Sequence, residues 1–280
     1  MILDGKIVAA SIKEQLKEEI DAAIANGGRR PKLVIISVGD DPASKVYVRN
    51  KMKAAEEVGI EVEHIEFNDN ELTYHIRGTI ERCNYNPEVD GIMVQLPLPK
   101  EYDERIIIDQ IFPEKDVDGL TTTNIGRLRS GQDCLKPCTA AGIIDLCKYY
   151  DIELDGKDVT IIGRSNIVGK PLADLMMAEG ATVTQCHSHT RHLEVDTKKA
   201  DILVSAIGKP KFINDDYVGF GTVVIDVGIN RDENGKLCGD VDYDDVAWKV
   251  QYITPVPGGV GPMTVAELMK NVVIAWRKRA

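Results

Sequence analysis

Apolar and polar positions along the chain switch repeatedly between a helical and an extended period. Ile7 to Ile24 carries apolar residues at helical spacing and stops at Asn26-Gly27-Gly28, a helix terminator. Lys32 to Val38 is a short β-branched run and predicts a strand. Asp41-Pro42 offers an N-cap with proline at the first helical position, opening a helix that ends near Gly59. Ile60 to Phe67 alternates like a strand, Glu71 to Tyr85 reads as a helix, and Asp90 to Gln95 predicts a buried strand closed by Leu96-Pro97-Leu98-Pro99. From Pro113 to Thr139 the rhythm is lost in a mixture of Gly, Pro, Thr and charges, which places a domain boundary there. It resumes with a helix at Thr139–Tyr150, a strand at Asp158–Ile162 and a helix at Val168–Glu179. Strands follow at Ala181–Cys186, Asp201–Ile207, Thr222–Val227 and Gln251–Thr254. The last helix, Thr264 to Arg279, carries the stripe Val265, Leu268, Met269, Val272, Val273 and Trp276, which needs a partner surface and is expected to return to the first domain.

This is the rhythm of an α/β protein with mostly parallel sheets and helices on both faces. Two domains are expected: residues 1–120 plus the C-terminal helix 264–280, and residues 139–263. Val204 to Ile207 or Val223 to Ile225 is expected to form an apolar sheet edge.

Composition narrows the class. The 280 residues carry a net charge of −11, which makes the chain a poor general ligand for nucleic acid or anionic membranes. An anionic substrate therefore needs a locally basic pocket. The six cysteines form no C-x-x-C pair and read as reduced thiols. No signal peptide and no apolar run of transmembrane length is seen, so a cytoplasmic protein is expected.

Candidate chemistry appears at two places. Strand Asp158–Ile162 runs into Gly163-Arg164-Ser165-Asn166-Ile167-Val168-Gly169-Lys170-Pro171 and then a helix. A strand, a glycine turn and a helix N-terminus form an anion site for a pyrophosphate. Ser165 stands where the second glycine of the usual dinucleotide fingerprint falls. The next strand ends Cys186-His187-Ser188-His189 without the carboxylate that binds a ribose hydroxyl, while Arg164 and Ser188 suit a 2′-phosphate, so NADP is favoured over NAD. His187, His189 and His192 lack an accompanying acidic or thiolate set, and no metal is expected. In the first domain, Tyr47 and Lys51 are four apart and share a helix face, with Ser44 one turn earlier. Gln95 ends a strand where open α/β sheets bind ligands, and Asp118 lies between the proposed domains.

Five segments together resemble one family. They are Pro42 to Lys51 (PASKVYVRNK), Val94 to Pro99 (VQLPLP), Pro113 to Gly119 (PEKDVDG), Gly163 to Pro171 (GRSNIVGKP) and Thr254 to Thr264 (TPVPGGVGPMT). In order and spacing the chain is similar, over essentially its whole length, to bifunctional methylenetetrahydrofolate dehydrogenase/methenyltetrahydrofolate cyclohydrolase. The resemblance implies an N-terminal catalytic, folate-binding domain and a C-terminal Rossmann-type NADP-binding domain in a homodimer. It implies that Lys51 is the catalytic lysine, Gln95 its hydrogen-bonding partner, Tyr47 a stacking platform, Asp118 the grip on the pterin and Ser44 a pocket residue. Pro257, Gly258 and Gly259 then line the substrate, while Gly163, Arg164, Ser165, Ser188 and Ile229 serve NADP. Two departures stand out: Thr121-Thr122-Thr123-Asn124 replaces a more common His-Pro-containing stretch, and Ala140 stands where a second proline is frequent. Alternatives are a monofunctional member, another two-domain NADP dehydrogenase of the amino-acid or shikimate type, and a non-catalytic nucleotide-binding protein.

Overall fold

The computed structural model describes residues 1–279 and divides into two compact units. The first comprises Ala10–Cys138 and the chain from Val265 onward, and the second comprises Met1–Ala9 and Thr139–Thr264.

The first unit follows α1 (Gly5–Ala25, from Ala10), β1 (Lys32–Val38), α2 (Pro42–Val58), β2 (Glu61–Phe67), α3 (Thr73–Tyr85), β3 (Gly91–Val94), α4 (Glu104–Ile108) and α5 (Thr122–Arg129). Its sheet is parallel with order β2-β1-β3. Both faces are covered, as crossover connections require. On one face Leu33, Ile35 and Met93 pack with Val48, Ala55 and Val58 of α2. The same cluster takes in Leu16 and Ile20 of α1 and Leu268, Met269, Val272, Val273 and Trp276 of the last helix, so the C-terminal stripe does find its partner in the first unit. On the other face Val34, Ile36 and Ile92 pack with Ile76 and Ile80 of α3.

The second unit adds α6 (Cys138–Tyr149, from Thr139), β4 (Asp158–Ile162), α7 (Gly169–Ala178), β5 (Thr182–Cys186), α8 (Leu193–Lys198), β6 (Ile202–Ser205), β7 (Val223–Asp226), the small hairpin β8 (Asn230–Arg231) and β9 (Leu237–Cys238), α9 (Tyr243–Val246), β10 (Tyr252–Ile253) and the start of α10 (Val260–Arg277). Its five-stranded parallel sheet has the order β10-β7-β6-β4-β5. This overturns the expected edge: β6 and β7, which carry Val204 and Val223 to Ile225, are interior strands and buried throughout. Their uninterrupted apolar composition reflects burial on both faces, not exposure at a rim. The sheet ends at β10 and β5, and β10 is extended further by the N-terminal residues. There Leu3 N–H donates to Ile253 O at 2.9 Å and Ile253 N–H to Met1 O at 3.1 Å, which ties Met1–Ala9 to this unit.

The last helix begins at Val260, four residues before the expected Thr264. Pro262 falls in the first helical turn, where proline is tolerated because its missing N–H has no intrahelical partner. Helix α5 forms inside the stretch read as irregular; Thr121 caps it by accepting from Asn124 N–H at 3.3 Å. No helix among the described residues is long and apolar enough to cross a membrane.

Candidate active site and cofactor site

Asp41 caps α2 through a bond from Ser44 N–H at 2.7 Å, and Pro42 occupies its first turn. The helix thus starts at a fixed point and carries Ser44, Tyr47 and Lys51 along one side. Lys51 is buried although its residue type almost never is, and so is Gln95, one residue past the end of β3. Gln95 N–H donates to Ile36 O at 2.8 Å, which continues the β1–β3 ladder and aims its side chain at α2. Lys51 Nζ donates to Gln95 Oε1 at 3.0 Å, and Gln95 Nε2 donates to Leu96 O at 2.6 Å. The amide is therefore held at both ends, and the Lys51 amino group is placed by it. Tyr47 stays exposed on the same helix, and Ser44 is half-buried.

Asp118 is half-buried, with no hydrogen-bond donor on its carboxylate among the described residues. Its loop is built by Asp116, fully buried, which accepts from Gly119 N–H at 3.0 Å, Leu120 N–H at 3.2 Å, Thr121 N–H at 2.8 Å and Asn124 Nδ2 at 2.9 Å. Burial pushes the Asp116 carboxyl above its ordinary value, against these four donors. Asn271 of α10 donates to Val117 O and Lys136 O, both at 2.8 Å, and the Cys138 thiol donates to Val117 O at 3.3 Å. Burial and then the nearby Asp118 raise that thiol well above its usual range. Lys115 is also buried: its Nζ donates to Cys83 O at 2.8 Å and Asn86 O at 2.7 Å near the C-terminus of α3, and desolvation lowers it to about 8. Thus Asp116, Cys138 and Asn271, none of them singled out from sequence, hold the backbone on which Asp118 stands. The departing residues Thr121 and Asn124 belong to this scaffold, whereas Ala140 is simply buried in α6. Pro257, Gly258 and Gly259 lie in the second unit.

In the second unit β4 and β5 are in register up to Ile162 and Cys186, and Gly163 N–H donates to Cys186 O at 2.9 Å. The two adjacent strand ends therefore place Arg164 and Ser188 at the carboxyl edge of the sheet, where open α/β folds bind ligands. Gly163 has φ of +126°, a conformation reserved for glycine. A side chain at Gly169 would run into the Gly163 carbonyl oxygen, so helix α7 starts hard against the turn. Ser165 acts differently from a free anion ligand. Its Oγ accepts from Val168 N–H at 3.1 Å and Gly169 N–H at 3.5 Å, and its carbonyl accepts from Lys170 N–H at 3.0 Å. The first donors of α7 are thereby used, and those left for an anion are the N–H groups of the turn itself, Arg164 to Ile167. Arg164 and Ser188 are exposed and have no protein partner among the described residues. Ile229 is 47% exposed just after β7, close to Gly261.

The loops at this edge are set by two buried aspartates. Asp240 Oδ2 accepts from Ser205 Oγ, Ile207 N–H and Gly208 N–H, and its Oδ1 accepts from Lys209 N–H and Asn230 Nδ2. Asp226 accepts from the N–H groups of Gly228, Asp240 and Val241. Burial outweighs these bonds and pushes the Asp226 carboxyl up to about 7. Among the described residues no group of three or more His, Cys, Asp or Glu side chains is arranged to hold a metal ion.

Residues 3–118 match the family model "Tetrahydrofolate dehydrogenase/cyclohydrolase, catalytic domain", and residues 137–280 match its "NAD(P)-binding domain". A bifunctional protein FolD of Agathobacter rectalis is 52% identical over 277 residues, covering 99% of each chain. The crystal structure of the bifunctional enzyme FolD from Campylobacter jejuni superposes with a TM-score of 0.98 at 44% identity, covering 100% of this chain and 99% of that one. The Trypanosoma brucei methylenetetrahydrofolate dehydrogenase-cyclohydrolase, solved with NADP and an inhibitor, gives a TM-score of 0.94 at 37% identity over 99% and 97% of the two chains. With a buried lysine–glutamine pair on one unit and a dinucleotide turn on the other, matched along both, the chain belongs to the tetrahydrofolate dehydrogenase/cyclohydrolase family.

Proposed function

We propose that this protein oxidises 5,10-methylenetetrahydrofolate to the methenyl cation with NADP and hydrolyses that cation to 10-formyltetrahydrofolate. The observation that carries the reading is the Lys51–Gln95 bond: a buried amine held by an amide at the carboxyl end of a parallel sheet. Bound NADP supplies the hydride acceptor. The turn Gly163 to Ile167 holds its phosphates, with Ser165 acting mainly through the shape it gives the turn. Arg164 and Ser188 contact the 2′-phosphate, and Ile229 covers part of the cofactor. Tyr47 stacks on the folate ring system, Asp118 accepts from the pterin N–H donors, and Ser44, Pro257, Gly258 and Gly259 line the substrate. In the hydrolytic step the Lys51 amine accepts a proton from the water that attacks the methenyl carbon, with Gln95 fixing its position. Of the expected folate domain, residues 10–120 with the last helix serve folate chemistry, while Met1–Ala9 pack with residues 139–263, which serve the cofactor.

The enzyme works as a cytoplasmic homodimer. With the expected apolar edge overturned, the dimer rests on family resemblance alone, and a monomer mass by light scattering at micromolar concentration refutes it. The activity itself is tested by following methenyltetrahydrofolate absorbance with NADP and with NAD. Formation with NADP followed by decay to the formyl product is expected; no product with either cofactor overturns the reading.

A further inference from the structure

Hydrolysis of a methenyl cation balances only if a proton leaves. The water oxygen bonds to the carbon, the carbon–N5 bond breaks, one water hydrogen ends on N5, and the other goes to solvent. Hydride transfer from the methylene carbon releases no proton. A base as buried as Lys51, with 9% of its surface exposed, therefore needs an exit that the dehydrogenase half-reaction does not.

We propose that the pocket between α2 and the carboxyl ends of β1 and β2 is that exit, and that His64 receives the proton after Lys51. This rests on the reading of Lys51 as the base. Strand pairing brings the groups into one row. Ile35 is in register with His64 and Met93, and Ser37 with Glu66, with Gln95 continuing β3 beside Ser37. Alternation along the strands sends Ser37, His64, Glu66 and Gln95 to the face that packs on α2. Ser37 Oγ and His64 Nε2 are 2.9 Å apart, and His64 Nδ1 is 3.9 Å from Glu66 Oε1. These four residues border a cavity of about 360 Å³ whose opposite wall includes Ser44, Val48 and Met52 of α2; Lys51 does not line it and reaches it through its bond to Gln95, which does. That volume admits roughly ten waters.

Exposure rises along the row. Gln95 and Ser37 are 7% and 9% exposed, whereas the His64 and Glu66 side chains are 18% and 63% exposed. A proton passed from Lys51 to cavity water beside Gln95 thus meets an imidazole, a side-chain type suited to exchanging protons near neutrality, and then a carboxylate in solvent. The other charges facing the cavity come from the start of α2: Asp41, which caps the helix; Lys45, paired with Asp40; and exposed Arg49. The cations Lys45 and Arg49 lie on the helix side of the cavity, and His64 and Glu66 lie on the strand side.

The test measures both activities of His64→Gln in the full-length protein, with imidazole titrated at fixed pH. Cyclohydrolase turnover is expected to fall on the order of tenfold or more and to recover with imidazole concentration, while dehydrogenase turnover stays at the wild-type level. Ser37→Ala, which leaves the imidazole in place, is expected to show a smaller fall. A cyclohydrolase rate within twofold of wild type, or a loss that imidazole does not restore, overturns the proposal. Lys51→Met assayed in parallel separates the two claims. If it keeps cyclohydrolase activity, the reading of the base falls and the exit falls with it; if it loses activity while His64→Gln does not, only the exit falls.

Discussion

The two units prepare their sites in opposite ways. In the first, the candidate site side chains are already bonded and buried: Lys51 on Gln95, Gln95 on Leu96, and Asp116 beneath the Asp118 loop. In the second, the backbone is finished but the contacting side chains are not, since Arg164 and Ser188 stand in solvent without partners among the described residues. The difference follows from what each site must do. A group that acts on a reacting atom gains from a fixed position before substrate arrives, because reorganisation then costs little at the moment of reaction. A group that holds an anion by charge needs only to be within reach, and a solvated guanidinium avoids the cost of burying an unpaired cation.

On that contrast, the second site breaks most severely through its backbone. Gly169→Ala forces a methyl group against the Gly163 carbonyl and must shift the turn. An overpacking cost of about 3 kcal/mol is expected to appear as a loss on the order of 100-fold in NADP affinity, with the first unit intact. Titration of NADP by fluorescence checks this, and an affinity within threefold of wild type contradicts it. Arg164→Ala removes only an exposed side chain. It is expected to weaken NADP roughly 10- to 100-fold by loss of a charge-assisted phosphate contact while changing NAD little. Equal losses for both cofactors remove the assignment of the 2′-phosphate to Arg164.

The smallest effect concerns stability. The Asp226 carboxyl, 3% exposed and raised to about 7, holds its proton in the folded state at pH values where the unfolded chain has lost it. The native state binds more protons between about pH 4 and 7, so its stability falls as pH rises through that window. Relative to Asp226→Asn, the wild type is expected to lose about 2 kcal/mol between pH 5 and 7. Unfolding curves at the two pH values measure this, and parallel curves for the two proteins contradict it.

Much of this was legible from the chain because local pattern and tertiary role agree. The inner strands of both sheets are short, mostly apolar runs and the edge strands β2 and β5 alternate, while Lys51 and Gln95 stand out by helix spacing and as a polar residue at a strand end. What escaped notice depends on distant partners. Helix α5 has only Ile125 and Leu128 as large apolar residues, and it is held by Asp116 and Asn124, so its periodicity is faint. Asp240 looks like any loop acid until the sheet assembles, when donors from Ser205 to Lys209 and from Asn230 converge on it. The supposed edge strands failed for a related reason: an apolar run signals burial, but strand order is a property of the whole sheet.

The central claim is that the buried lysine of the first unit is the base for water attack. The direct measurement is cyclohydrolase turnover of Lys51→Met, alongside NADP binding to confirm that the protein is folded. Methionine keeps the length and apolar stem of the side chain, so packing changes little. Loss of cyclohydrolase activity is expected, with NADP affinity unchanged and dehydrogenase activity reduced less completely, since hydride transfer depends mainly on alignment. Cyclohydrolase turnover within a small factor of wild type, in a protein that still binds NADP, would contradict the account.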